Sequence, residues 1–222
     1  MISTSAIVLR TIAHTDKARI VDFYTLDFGR VKALVYGWQK KQSLYAPLMQ
    51  VSLTMAEPPK NDTVFHKIKL TEVRRFPINS DLRISTIKLF IAEILYHCLK
   101  HPMQETSLFR FVDRFITSLD EADTSICHLQ FMLDFSRFMG IYPNISGEGY
   151  LDMLSGEISR SEPFHPNFFT PTETTQISNL RNTRLTRQER QTLLRKLCRY
   201  YELQLPDFVV PNSLAVLQEV FD

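Results

Sequence analysis

The sequence predicts an α+β protein in which a small closed β-barrel precedes a mostly α-helical domain carrying a small β-hairpin insertion. Three observations predict it. Short runs of β-branched and aromatic residues, broken by turn chemistry, fill the chain from its start to about Phe76. From about Ser80 apolar residues recur at three- and four-residue spacing. Charge divides along the same line: residues 1–80 hold 12 Lys/Arg against 6 Asp/Glu, and residues 81–222 hold 14 against 18. The net charge of +2 hides that split, and the expected domains are 1–79 and 80–222.

Five strands account for the first domain. The first covers about Ser5 to Thr11 and the second about Arg19 to Thr25, after which Asp27-Phe28-Gly29 turns the chain into a third from Arg30 to Tyr36. Beyond the polar stretch Trp38 to Ser43, a fourth alternates Val51, Leu53 and Met55 against Ser52 and Thr54 and ends at Pro58-Pro59. The fifth runs from Val64 to Val73. Five short strands in so short a stretch suit a small barrel of the OB type, because closure removes the exposed edges that an open sheet would leave.

Helices account for most of the rest. Leu82, Ile87, Phe90, Ile91, Ile94, Leu95 and Cys98 trace one apolar face from about Ser80. Two further helices are expected at about Glu105 to Leu119 and Ser125 to Met139, the latter stopped by Gly140. Glycines and prolines then punctuate Tyr142 to Pro171, leaving room for one hairpin, about Tyr150 to Met153 against Glu157 to Ser159. Thr186-Arg187-Gln188-Glu189 reads as a capping box that opens a helix reaching about Leu203. A short helix from Ser213 to Phe221 follows.

Composition narrows the function. With 44% hydrophobic residues and 16 Phe the chain folds around real cores. No apolar run of about 18 residues and no signal-peptide pattern appears, so a cytoplasmic protein with no membrane partner is expected. Cys98, Cys127 and Cys198 are widely spaced and odd in number, which suits reduced, buried or inert thiols. No Walker A loop, dinucleotide fingerprint, G-x-S-x-G or H-E-x-x-H is present; Asp27-Phe28-Gly29 spells a kinase tripeptide without the catalytic loop that would precede it. The expectation is a binding protein without catalytic residues or cofactor.

The segregated positive charge of the first domain is the footprint of a polyanion binder, since each neutralised phosphate releases condensed counterions. On the third strand Arg30, Lys32, Leu34 and Tyr36 share one face; on the fifth, Phe65, Lys67 and Lys69 do. Cations beside aromatics suit single-stranded nucleic acid, where phosphates take Lys/Arg and unpaired bases stack on rings. The alternative is an ordinary solvated face. Trp38, next to Lys40 and Lys41, either closes over a strand and stacks on a base or plugs one end of the barrel. A second basic cluster, Arg181, Arg184, Arg187, Arg190, Arg195, Lys196 and Arg199, has a single acid, Glu189, within its span. It extends the nucleic-acid track, accepts an acidic peptide, or is a solvated helix whose cations complement its dipole. His97, Cys98 and His101 lie close in sequence but lack the paired spacing of a zinc site, so no metal is expected.

Ala6-Ile7-Val8-Leu9-Arg10, Asp16, Phe23-Tyr24-Thr25, Gly29-Arg30-Val31, Val35-Tyr36-Gly37, and Ser43 before Pro47-Leu48 resemble the opening barrel of the RecO family of bacterial DNA repair proteins. Arg199-Tyr200-Tyr201 to Pro206, with Ser213-Leu214, is similar to the family's closing helices, so the resemblance spans nearly the whole chain by order and spacing. It implies an OB fold followed by a helical domain. It also implies binding of single- and double-stranded DNA and annealing of complementary strands without nucleotide hydrolysis. Work with RecR to replace single-strand-binding protein by RecA recombinase, and recognition of the acidic C-terminal tail of single-strand-binding protein, are implied as well. The expected DNA-binding residues are Arg30, Lys32, Tyr36, Trp38, Lys40, Lys41, Lys67 and Lys69. Arg187, Arg190, Arg195, Lys196 and Arg199 are assigned to the acidic tail from charge alone. Many family members carry four zinc-binding cysteines within the region read here as 142–171; this chain has Ser146-Gly147-Glu148-Gly149 and Ser155-Gly156 there. Packing of Tyr150, Leu151, Met153, Ile158 and Phe164 is expected to hold the hairpin instead. Two competing readings are an RNA-binding or protein-interaction adaptor on the same barrel and an enzyme with an unrecognised site.

Overall fold

The computed structural model describes residues 1–38, 42–56, 65–75, 81–100, 104–119 and 124–221. Five strands, β1 (Ile2–Thr15), β2 (Ala18–Thr25), β3 (Gly29–Tyr36), β4 (Gln50–Met55) and β5 (His66–Val73), close into a barrel in the order β1-β2-β3-β5-β4. All neighbours are antiparallel except β3 and β5, which run parallel. Alternation decides the inside: Ala6, Val8, Val21, Phe23, Val31, Ala33, Val35, Val51, Leu53 and Met55 meet in one core with Tyr45. The expected turn forms at Asp27-Phe28-Gly29, with Gly29 at φ 63° and the Thr25 hydroxyl accepting from Phe28 N while donating to Gly29 O.

Two helices complete this first unit, α1 (Leu82–Cys98) and α2 (Thr106–Ser118). Gln50 Nε2 donates to Asp113 O and Oδ1 at 3.1 and 2.8 Å, and the Arg74 guanidinium donates to both Asp113 carboxylate oxygens at 2.9 and 3.1 Å. Compact packing divides the chain into Met1–Glu121 and Ala122–Asp222. The division by packing comes after Glu121, and α2 packs on the outside of the barrel, where the Tyr24 ring lies 5.9 Å from Phe109 and its hydroxyl donates to Glu105 O.

The second unit holds α3 (Cys127–Phe138), a small sheet of β6 (Tyr150–Asp152), β7 (Ile158–Ser159) and β8 (Phe168–Phe169) in the order β7-β6-β8, then α4 (Pro171–Ser178), α5 (Arg187–Gln204) and α6 (Ser213–Val220). The rings of Phe131, Phe135 and Tyr201 stack along the α3–α5 contact, and the Tyr201 hydroxyl donates to Met132 O at 2.6 Å. The expected hairpin is present as β6 and β7; β8 and α4 have no counterpart among the expected elements. The signal for α4 is Thr170-Pro171-Thr172-Glu173, a second capping box with proline at the first helical position.

The region 142–171 does not suit zinc. It contains no cysteine, and its one histidine, His165, pairs through Nε2 with Asp152 at 3.4 Å. Leu151 and Met153 are buried as expected, but Phe164 lies fully exposed and contributes no packing. Hydrogen bonds take its place: Leu151 N donates to the Thr174 hydroxyl and Lys196 Nζ to Glu173 Oε2 and Phe168 O. Among the described residues no group of three or more His, Cys, Asp or Glu is placed to hold a metal ion, and no helix is long and apolar enough to cross a membrane. His101, Pro58, Pro59 and Val64 lie outside the described residues.

Candidate nucleic-acid interface

The outward side chains of β2 and β3 are those the core leaves out: Ile20, Asp22 and Tyr24 on one, Arg30, Lys32, Leu34 and Tyr36 on the other. Register aligns them into rows. Arg10, Asp22 and Lys32 form one, and Ile12, Ile20, Leu34 and Lys67 the next, with Ala18 opposite Tyr36 beyond. The parallel β3–β5 pair joins Ala33 with His66 and Leu34 with Lys67. Two strands far apart in the sequence thus put their cations and aromatics on one outer face.

Arg30 does not belong to the open part of that face. Its Nε and Nη2 both donate to Asp22 Oδ1, at 3.0 and 2.9 Å, while Nη1 donates to the carbonyls of Tyr96 and Leu99 at 3.1 and 3.2 Å. The Tyr96 ring lies 4.2 Å from its guanidinium carbon. Only 13% of the side chain remains exposed, so the fold uses Arg30 to neutralise buried Asp22 and to cap the C-terminal end of α1. The consequence for the face is electrostatic. Asp22 is silenced by Arg30, and the charges left near solvent are Arg10, Lys32, Lys67 and Lys69.

Lys67 and Lys69 are exposed and Lys32 is half-buried. A register shift between Thr54–Leu70 and Met55–Ile68 leaves Lys69 without a partner across β4, a bulge that turns it and Leu70 outward together. Tyr36 is 72% exposed and Phe65 36%. Exposed rings on a face that carries lysines suit a partner whose bases stack while its phosphates are held. Ile20 belongs to the same face, and so do Arg10 and Ile12, which a bulge after Val8 shifts out of the simple alternation of β1.

Trp38 is partly buried against the barrel core, with the Arg19 guanidinium carbon 4.0 Å from its ring centroid. Lys40 and Lys41 lie outside the described residues.

The second basic cluster is dispersed. Lys196 is held by Glu173 and Phe168 O, Arg199 by Asn167 Oδ1 and Glu202, and Arg195 is exposed on another side of α5. Arg187 and Arg190 alone share a cleft, narrow and apolar at its base, with His128, Leu194, Leu217 and Phe221. Burial first, and the nearby Arg190 charge second, push His128 down to about 3, so its imidazole is neutral and faces the Phe221 ring at 5.5 Å. Its Nδ1 is buried with no hydrogen-bond partner among the described residues.

The family model described as Recombination protein O N terminal matches residues 1–73. The chain is 34% identical over 240 residues to a DNA repair protein RecO of Phocaeicola vulgatus, covering 98% of both chains. It is 31% identical over 242 residues to one of Bacteroides fragilis, covering 99% of this chain and 98% of the relative. To one of Flavobacterium psychrophilum it is 30% identical over 238 residues, covering 99% of each.

Proposed function

The chain belongs to the RecO family of DNA repair proteins, and from that premise we propose that its barrel grips DNA backbones while its second unit docks a protein partner. The protein acts in DNA repair and recombination. In finer terms it binds single- and double-stranded DNA, anneals complementary strands, and together with RecR helps load RecA recombinase onto DNA coated by single-strand-binding protein. It does so by binding, without nucleotide hydrolysis.

The observation that carries this reading is the outer face of β1, β2, β3 and β5. Arg10, Lys32, Lys67 and Lys69 share that face with Tyr36, and Asp22, which lies in the same row as Arg10 and Lys32, is already neutralised by Arg30. Two strands brought to such a face have their mutual phosphate repulsion screened, which lowers the barrier to pairing. The acidic tail of single-strand-binding protein suits the Arg187–Arg190 cleft: carboxylates meet the two guanidiniums while an apolar terminal side chain meets Leu194, Leu217 and Phe221.

Anisotropy of a labelled single-stranded oligonucleotide over a salt series tests the barrel. Each phosphate contact on a single strand contributes roughly 0.7 to the slope of log K against log salt. Replacing Lys32 and Lys67 together by Ala should flatten the slope by about 1.4. An unchanged slope would remove this face from the DNA site.

A further inference from the structure

The apolar base of the Arg187–Arg190 cleft is covered. His128, Leu194 and Leu217 are 3%, 2% and 1% exposed, and the space left between the walls is about 10 Å³, room for roughly one water. A side chain arriving from solvent therefore touches none of the three. The cations stand differently. Arg187 is exposed and Arg190 partly so, the latter anchored through Nη1 on Leu185 O at 2.8 Å. Carboxylates can reach the charge of this cleft, while its apolar seat is shut.

Of the apolar residues that line the cleft, Phe221 alone is partly exposed. Its ring faces the His128 imidazole at 5.5 Å, and it stands one residue beyond α6, with its N–H donating to Leu217 O at 3.2 Å. α6 is eight residues long and buries Ser213 and Leu217, whereas Gln218 to Phe221 are all partly or fully exposed. Helix ends fray, and a last turn with no fully buried side chain opens far more readily than the core it lies on. We propose that Phe221 is a plug carried by the chain itself: its ring holds the seat over His128, Leu194 and Leu217, and a partner bearing carboxylates and an apolar side chain enters by displacing that ring while pairing with Arg187 and Arg190. The inference rests on the reading above of this cleft as the seat of an acidic tail, and adds its regulation. An acidic chain without an apolar side chain to replace the ring finds two arginines and no seat, so the plug makes the cleft demand both features at once.

Fluorescence anisotropy of the full chain tests it, with an amino-terminally labelled peptide of three aspartates, a leucine and a carboxy-terminal phenylalanine. Apparent affinity scales with the fraction of open protein, so a ring that covers the seat about nine-tenths of the time weakens binding about tenfold. Phe221→Ala should therefore bind the peptide about tenfold more tightly than the native protein. Phe221→Leu, a smaller cover, should gain less. A peptide with alanine in place of the phenylalanine should gain nothing from either variant, and Arg187→Ala with Arg190→Ala should remove binding in every background. If neither Phe221 variant binds more tightly, while Arg187→Ala with Arg190→Ala still removes binding, the plug is overturned and the cleft reading stands, with Phe221 as a wall of the seat. An equal gain for the alanine-ended peptide would also overturn the plug, because the variant would then act on something other than the seat. If the peptide binds neither the native protein nor Phe221→Ala, the cleft reading fails and the plug with it.

Discussion

Replacing Arg30 by Ala separates a structural arginine from a DNA-binding one. Asp22 is 2% exposed and its only ion-pair partner among the described residues is Arg30, so the substitution leaves a carboxylate in the barrel wall without its counter-charge. Removing one partner of a buried pair costs about 3–5 kcal/mol, most of it from the stranded charge. The two hydrogen bonds to Tyr96 O and Leu99 O are lost as well, which loosens the end of α1 from the barrel. In a chain of this size each kcal/mol lowers Tm by about 2–4 °C, so a fall of roughly 6–20 °C is expected. Calorimetric melting measures it, with the salt slope of DNA binding recorded at a temperature where the variant is folded. That slope should stay close to the native value, because the Arg30 guanidinium is already taken up by Asp22, Tyr96 O and Leu99 O. Adding Asp22→Asn should recover part of the stability, since the stranded charge is then gone. The reasoning is refuted if Arg30→Ala melts within about 2 °C of the native protein, or if its slope flattens as much as that of Lys67→Ala.

Three further outcomes follow from buried groups. His128 titrates near 6.5 when unfolded and at about 3 when folded, so the unfolded state binds more protons between those values. Stability is therefore full above about pH 6.5 and is lost as pH falls toward 3; between pH 7 and 5 this one group should cost about 2 kcal/mol in urea melts, a loss absent from His128→Phe. The thiols of Cys98 and Cys198 are pushed up to about 12 by burial, so native protein at pH 8 should resist iodoacetamide at both and react only once unfolded, as read by mass spectrometry. Tyr201→Phe removes the hydroxyl's hydrogen bond to Met132 O inside the α3–α5 contact and should cost about 0.5–1.5 kcal/mol in the same melts.

Local chemistry wrote much of this fold into the sequence. The alternation Val31, Ala33, Val35 sends those residues inward because successive side chains of a strand point to opposite faces. Thr186 with Glu189 starts α5 because the pair satisfies N–H groups that a helix cannot satisfy itself. Thr170 with Glu173 starts α4 by the same chemistry, hidden by the glycines and prolines around it. The positive charge of the barrel segment, and the cations of β3 and β5, were equally legible.

Tertiary structure decided which of those cations face solvent. Arg30 and Lys32 are indistinguishable in the alternation of β3, yet one is enclosed by Asp22, Tyr96 and Leu99 while the other keeps a place on the open face. Lys67 joins Leu34 only through the parallel β3–β5 pairing, and Lys69 turns outward only because a bulge breaks the register. The sequence by itself determined the elements and which faces are apolar, since those depend on the periods at which neighbouring Cβ atoms return to one side of a strand or helix. Partners such as Asp22 and Arg30 with Leu99 were decided by the packed chain alone, because contacts between distant parts of the sequence depend on register and on which face another element covers.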